Sequence, residues 1–250
     1  MTIEEFADSL RKTHEIVFFT GAGISTESGV PDFRSPGGIW TKYQPVYFDE
    51  FVASEAARAR YWTMKRETHE LYQNVRPNIG HYAVAAFEKR GRLLGLITQN
   101  VDGLHGIAGL SAEKMVELHG TDRKVSCLGC GKEFAPEPIY ERLKEGLFPS
   151  PCDACGGLLK PATISFGQAM PQAEMRRAQE WSAAAEVFIV VGSSLVVQPA
   201  ASFPVIAKQS GAMLAIVNRE PTPLDELADY SFRGAIGEFF TRLNPLLADG

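Results

Sequence analysis

The stretch Ile16-Val17-Phe18-Phe19-Thr20-Gly21-Ala22-Gly23-Ile24-Ser25 decides the fold. It opens on a continuous apolar run, and a strand that is apolar toward both faces belongs between two covering layers, as in a parallel sheet. Gly21 and Gly23 end that run abruptly. Just before it, Thr2-Ile3-Glu4-Glu5 has capping-box spacing, and Ile3, Phe6, Ala7 and Leu10 recur at helical intervals. A helix is therefore expected over residues 2 to 13.

Working outward, the same succession of apolar strand and small or polar loop recurs. Leu94 to Ile97 runs into Thr98-Gln99-Asn100-Val101-Asp102-Gly103, Val187 to Val191 into Gly192-Ser193-Ser194, and Ala212 to Val217 into Asn218. Helical patterns over Gly80 to Lys89, Gln172 to Ala185 and Gly234 to Leu246 lie between or after them. This alternation predicts an α/β fold with a mostly parallel, Rossmann-like sheet. Ligands of such sheets collect at the carboxyl ends of the strands, where these polar loops fall.

Two stretches break the rhythm and read as inserts. Residues 35–78 hold Pro36-Gly37-Gly38, several aromatics and a long helical pattern from Ser54 to Tyr72; residues 121–160 hold all four cysteines. The division expected is a large domain of residues 1–34, 79–120 and 161–250, with the two inserts forming a small domain.

Composition narrows the function classes. The chain has 250 residues, 45% of them hydrophobic, and a formal charge of −5. A packed core is expected, and general electrostatic binding to nucleic acid is not. No apolar run approaches the roughly 20 residues that cross a membrane. The start, Met1-Thr2-Ile3-Glu4-Glu5, is acidic, so no signal peptide is expected, and the cytoplasm is the expected compartment.

Cys127-x2-Cys130 and Cys152-x2-Cys155 make two chelating pairs with glycines at 129, 131, 156 and 157 for tight turns. Four thiolates leave no open position for water, which points to structural zinc that replaces a core in this insert. A redox pair or an iron–sulfur cluster is the alternative.

The turn Gly21-Ala22-Gly23 would bring backbone N–H groups to a pyrophosphate. The usual dinucleotide fingerprint wants a third glycine where Thr26 stands and an acidic residue about 20 positions on, where Gln44 and Pro45 stand. The loop is thus either an ordinary turn or the seat of a dinucleotide held unusually. Pro31-Asp32-Phe33-Arg34 either touches ribose or pyrophosphate or closes a loop through an Asp32–Arg34 salt bridge. Gln99, Asn100 and Asp102 offer the donors and acceptors that an amide such as nicotinamide needs, or form a polar turn. Among the histidines, His119 in Val116-Glu117-Leu118-His119-Gly120 is the candidate general base and His105 a lesser one. His81 reads as packing or capping, and His14 and His69 as surface residues.

Taken together, Gly21-Ala22-Gly23-Ile24-Ser25, Pro31-Asp32-Phe33-Arg34, Thr98-Gln99-Asn100-Val101-Asp102, Leu118-His119-Gly120, the cysteine pairs, Phe166-Gly167 and Gly192-Ser193-Ser194-Leu195 closely resemble the sirtuins, the NAD-dependent protein deacylases. The resemblance runs from about residue 10 to 245. It implies a cleft between the domains that NAD and an acylated lysine enter from opposite sides. Ala22, Gly23 and Ser193 would then face the phosphates, Phe33 and Arg34 lie in the cofactor loop, and Ser194 and Asn218 hold the adenosine half. Gly21, Thr26, Asp32, Gln99 and Gly192 join the cofactor-binding set, and Asn100 and Asp102 shape the nicotinamide pocket. Phe166, Gly167 and Val196 would line the cleft where a peptide adds a strand. His119 would deprotonate the ribose hydroxyl, with Asn100 and Asp102 beside it in catalysis, giving lysine, nicotinamide and 2′-O-acyl-ADP-ribose. One structural zinc per chain and a monomer are implied.

Departures bear on the acyl group. Many members have arginine-proline where this chain has Lys160-Pro161, an acidic residue where it has Gln168, and threonine at Ser193. Desuccinylating relatives use a tyrosine and an arginine three residues apart; here Tyr61 is followed at that spacing by Met64, which disfavours a dicarboxylate. The stretch Ala57-Arg58-Ala59-Arg60-Tyr61-Trp62 is similar, more loosely, to the mitochondrial lipoamidase and ADP-ribosyltransferase-like branch. Deacetylation is the main expectation. Mono-ADP-ribosyl transfer, lipoyl or long-chain deacylation, and a silent NAD-binding zinc scaffold are the alternatives.

Overall fold

Ile16 and Phe18 point to one side of the first strand and Val17 and Phe19 to the other, and all four are fully buried, so both faces are covered. The computed structural model describes residues 2–247. The chain runs α1 (Ile3–Arg11), β1 (Ile16–Thr20), α2 (Ile39–Lys42), α3 (Phe48–Ala53), α4 (Glu55–Asn74), α5 (Ile79–Lys89), β2 (Leu93–Thr98) and α6 (Leu104–Ile107). It continues through β3 (Met115–Glu117), β4 (Gly120–Cys127), β5 (Glu133–Phe134), α7 (Glu137–Lys144), β6 (Leu159–Thr163) and α8 (Gln172–Ala184). Last come β7 (Val187–Val191), α9 (Phe203–Gln209), β8 (Met213–Asn218), β9 (Tyr230–Arg233) and α10 (Ile236–Leu246).

The six-stranded sheet has the order β3-β2-β1-β7-β8-β9 and every pairing is parallel. The α/β, Rossmann-like class holds. Thr20 is level with Thr98 on one side and Val191 on the other, so the loops after β1, β2 and β7 emerge at one edge. Phe6, Leu10, Phe87 and Phe240 pack on one face. Ala178, Phe203 and Ala207 pack on the other.

α1 begins as its spacing predicts: Glu5 N–H donates to the Thr2 hydroxyl at 3.2 Å, and Thr2 N–H donates to the Glu5 carboxylate at 2.8 Å. The chain after Gly21 forms a tight 3-10 segment, Ala22–Ser28, closed by Gly29 at φ 89°. Thr26 donates its hydroxyl to the Gly23 carbonyl, a local bond that competes with an ordinary helical start.

β4, β5 and β6 form a separate antiparallel sheet. The cysteine-bearing insert is not without a core, as the sequence suggested. Val125, Tyr140 and Leu143 from it pack with Phe51, Tyr61 and Trp62 from the helical insert. Each insert supplies apolar surface that the other lacks, so a metal at the cysteines would supplement a shared core.

Candidate active site

A cavity of about 660 Å³ runs along the carboxyl ends of β1, β2, β7 and β8 and under the two inserts. Its size suits a nucleotide-sized ligand. At one end the loops after β1 and β7 pack backbone to backbone: Gly21 N–H donates to Val191 O at 3.1 Å and Gly23 N–H to Gly192 O at 2.8 Å. A Cβ on Gly192, whose φ is 65°, would lie 2.3 Å from Ile24 N. The glycines therefore let the two loops pack backbone to backbone into a cradle whose wall carries no side chain at these positions, which leaves room for a pyrophosphate. Gln99 donates to the Ser193 hydroxyl at 2.8 Å, tying β2's loop to this cradle. Leu195, just beyond, is held at φ 55°, uncommon for a non-glycine residue.

Asn100 lies between that cradle and the interior. Its side-chain NH2 donates to Gly21 O at 3.1 Å and to Ser25 Oγ at 3.3 Å. Asp102 does not line the cavity; its carboxylate accepts from Ser25 Oγ at 2.7 Å and from Leu104 N at 2.9 Å. Burial raises its carboxyl pKa against those bonds. The expectation that Asp102 faces the crevice is thus corrected, because the Leu104 turn draws the carboxylate inward.

His119 lines the cavity. Its Nδ1 is 3.0 Å from the Gln99 carbonyl, which can only accept, so the proton sits on Nδ1 and Nε2 keeps its lone pair. Burial holds its pKa below the usual histidine range, so the ring is a neutral base. His105 is excluded as a base, being buried away from the cavity, with Nε2 3.1 Å from Thr20 Oγ1. His81 takes part in the α5 capping box with Asn78, as the sequence suggested, and burial lowers its pKa to about 4. His14 is exposed, but His69 is buried and stacked on Tyr140 with ring centroids 3.8 Å apart. That correction follows from α4 being covered on more than one side.

Asp32 and Arg34 form no ion pair. Asp32 Oδ1 accepts from the backbone N–H groups of Arg34 and Ser35 at 2.9 and 2.8 Å, and the Arg34 side chain is exposed toward the cavity. The turn is closed by backbone bonds, which leaves the guanidinium free for a ligand. Gly21, Ala22, Gly23, Thr26, Asp32, Phe33, Gly192, Ser194, Asn218, Phe166 and Gly167 all line the cavity, whereas Val196 is 52% exposed outside the lining.

The far end lies against α4, where Tyr61, Met64 and Lys65 line the floor. Tyr61 OH is 3.0 Å from Thr163 Oγ1, and Lys65 Nζ donates to Asp122 at 2.9 Å. Burial opposes the Lys65 charge, but Asp122 outweighs it and raises the pKa. Lys160, the departure noted in sequence, is buried behind Tyr61 and donates to the Thr163 carbonyl. Burial lowers its pKa. Among the basic residues near Tyr61, sequence singles out Arg60 and Arg66, at the wrong interval, and not Lys65. On a helix the fourth position shares the same face.

The Sγ atoms of Cys127, Cys130, Cys152 and Cys155 lie within 4.8 Å of one another. Four converging thiols, with no other donor grouped with them among the described residues, suit a closed tetrahedral zinc site. Gly129 N–H donates to Cys127 Sγ at 3.3 Å, a bond of the kind that supports a metal-bound thiolate. None of the four lines the cavity.

Comparison with known proteins agrees with this geometry. The model of the Sir2 family matches residues 21–199. An NAD-dependent protein deacetylase of Rhodopseudomonas palustris is 47% identical over 236 residues, covering 94% of this chain and 93% of its own. The NAD-dependent protein deacetylase 1 of Bradyrhizobium diazoefficiens is also 47% identical, with 94% and 92% covered. A solved Sir2 structure with p53 peptide and NAD+ superposes with a TM-score of 0.88 at 36% identity, over 98% of each chain.

Proposed function

The chain belongs to the Sir2 family, and from that premise we propose how its own residues carry out NAD-dependent deacylation of protein lysine. The chain is an enzyme of that class. The observation that carries the assignment of roles is His119, a neutral base with a free Nε2, in one cavity with the glycine cradle and Asn100.

NAD, when bound, supplies the ribosyl carbon that the acyl oxygen joins as nicotinamide leaves. Gly21, Ala22, Gly23, Gly192 and Ser193 would hold its pyrophosphate, with Thr26, Asp32, Phe33, Arg34 and Gln99 around it and Ser194 and Asn218 toward the adenosine. Asn100 would meet the carboxamide. Asp102, through Ser25, would hold Asn100 in place. His119 would take the proton of the ribose hydroxyl, and the apolar walls Phe33, Trp40 and Val46 would keep water away.

The acylated peptide would lie as an added strand against Phe166, Gly167 and Val196. Exposure of Val196 suits a residue that meets peptide and not cofactor. The small domain is taken as residues 35–78 and 121–160, with one structural zinc. No described helix is long and apolar enough to cross a membrane. A cytoplasmic location is supported by four cysteines that converge as one metal-ligand set and not as two separate disulfides. A monomer suffices, since one chain builds the whole cavity.

The test is exchange of labelled nicotinamide into NAD. It should require acylated peptide and persist in His119→Ala, because the base acts after the nicotinamide bond has broken. Loss of exchange in that variant, with zinc and folding intact, would contradict the role.

A further inference from the structure

The ion pair on the cavity floor is joined to the nicotinamide side by a short covalent step. Lys65 Nζ donates to Asp122 Oδ1 at 2.9 Å, with Lys65 7% and Asp122 1% exposed. The next residue, Arg123, donates from Nε and Nη2 to the Asp102 carbonyl at 3.1 and 2.8 Å. Asp122 N–H donates to the Val101 carbonyl at 3.0 Å. Consecutive carbonyls of the loop carrying Asn100 and Asp102 are thus both held by residues 122 and 123.

The chain is shaped for this contact. β4 pairs with β6 at Gly120 and again from Val125 to Cys127, and the register is irregular between. That irregularity lets Asp122 and Arg123 turn to the helix and the loop instead of alternating on a regular strand. Gly103 sits at φ 74°, and a Cβ there would lie 2.7 Å from Arg123 Nε, so the guanidinium rests directly on the loop.

We propose that Lys65, Asp122 and Arg123 form a polar strut that sets the nicotinamide-side loop in register with the acyl end of the cavity. Asp122 and Arg123 are positioning residues in this account, touching neither substrate. A change on the floor beside Lys65 moves β4 at Asp122, and Arg123 passes the shift to Asp102 and so to Ser25 and Asn100. The proposal rests on the deacylase reading, in which nicotinamide leaves against this loop.

The test is a double-mutant cycle on full-length, zinc-loaded enzyme, reading nicotinamide inhibition with one acetylated peptide. Lys65→Met and Arg123→Met should each raise the half-inhibiting concentration about tenfold, and the double variant also about tenfold, not a hundredfold. Arg123→Lys should restore part of the loss. Lys124→Met, which breaks the exposed Lys124–Glu133 pair between β4 and β5, should leave inhibition unchanged. If Lys65→Met fails to fold, Lys65→Met/Asp122→Leu takes its place, since it leaves no buried charge alone. Multiplying effects, or a Lys65 variant with normal inhibition, would overturn the strut while leaving the deacylase reading intact. A wild-type enzyme that releases no nicotinamide would overturn both.

Discussion

The His119 Nδ1–H group donates to the Gln99 carbonyl at 3.0 Å, and this bond fixes which ring nitrogen is free to act. It also ties the base to the loop that holds Ser193 and Asn100. His119→Ala should therefore lower deacylation by about 10²–10⁴-fold. NAD binding by calorimetry should remain measurable, because the cradle is built of backbone. Normal turnover by the variant would refute the assigned base.

Because burial lowers the His119 pKa, the ring is already free at neutral pH. With acylated peptide and NAD below saturation, kcat/KM should be flat across neutral pH and fall on the acid side, with a midpoint below about 6.5. An acid limb centred at pH 7 or above would contradict the neutral-base account.

Ser25→Ala removes the hydroxyl that donates to Asp102 at 2.7 Å and leaves a buried carboxylate oxygen without it. A loss of about 1–3 kcal/mol in denaturant unfolding at pH 7 is expected, with a higher KM for NAD. The sign with pH follows from the raised Asp102 pKa. Its ionised form is the disfavoured one in the folded state, so the deficit should shrink as pH falls and the carboxyl protonates in both states.

Gly192→Ala would place a Cβ 2.3 Å from Ile24 N at a left-handed backbone position. Strain of order 1–3 kcal/mol is expected, read as weaker NAD binding by calorimetry with the zinc content unchanged.

Removing zinc with a chelator, or replacing Cys130 with Ala, should loosen β4–β6 and then the core shared by Phe51, Tyr61 and Tyr140. Activity should fall although no cysteine lines the cavity. Full activity in protein verified as zinc-free would contradict a structural metal.

Much of this was legible in sequence for physical reasons. β1, β2, β7 and β8 are buried on both faces and leave unbroken apolar runs. Their polar carboxyl ends therefore mark the cavity, and His119 and the four cysteines carry their own chemistry. β3 and β9 are edge strands, short or only half-buried, and leave no such run. The buried state of Lys65 and His69 depends on Asp122 and Tyr140, more than fifty residues away, which local pattern does not reveal. The inward turn of Asp102 rests on Leu104, two residues on, and on Ser25, across the fold, and only the second partner is hidden from local pattern.

The most direct measurement is mass spectrometry of NAD with one peptide carrying acetyl, butyryl, myristoyl, succinyl or lipoyl lysine in turn, with His119→Ala alongside. The account predicts loss of an acyl group matched by nicotinamide and 2′-O-acyl-ADP-ribose, with the variant inactive. Peptide that instead gains ADP-ribose, or folded zinc-loaded enzyme that yields no product from any acyl form, would contradict it.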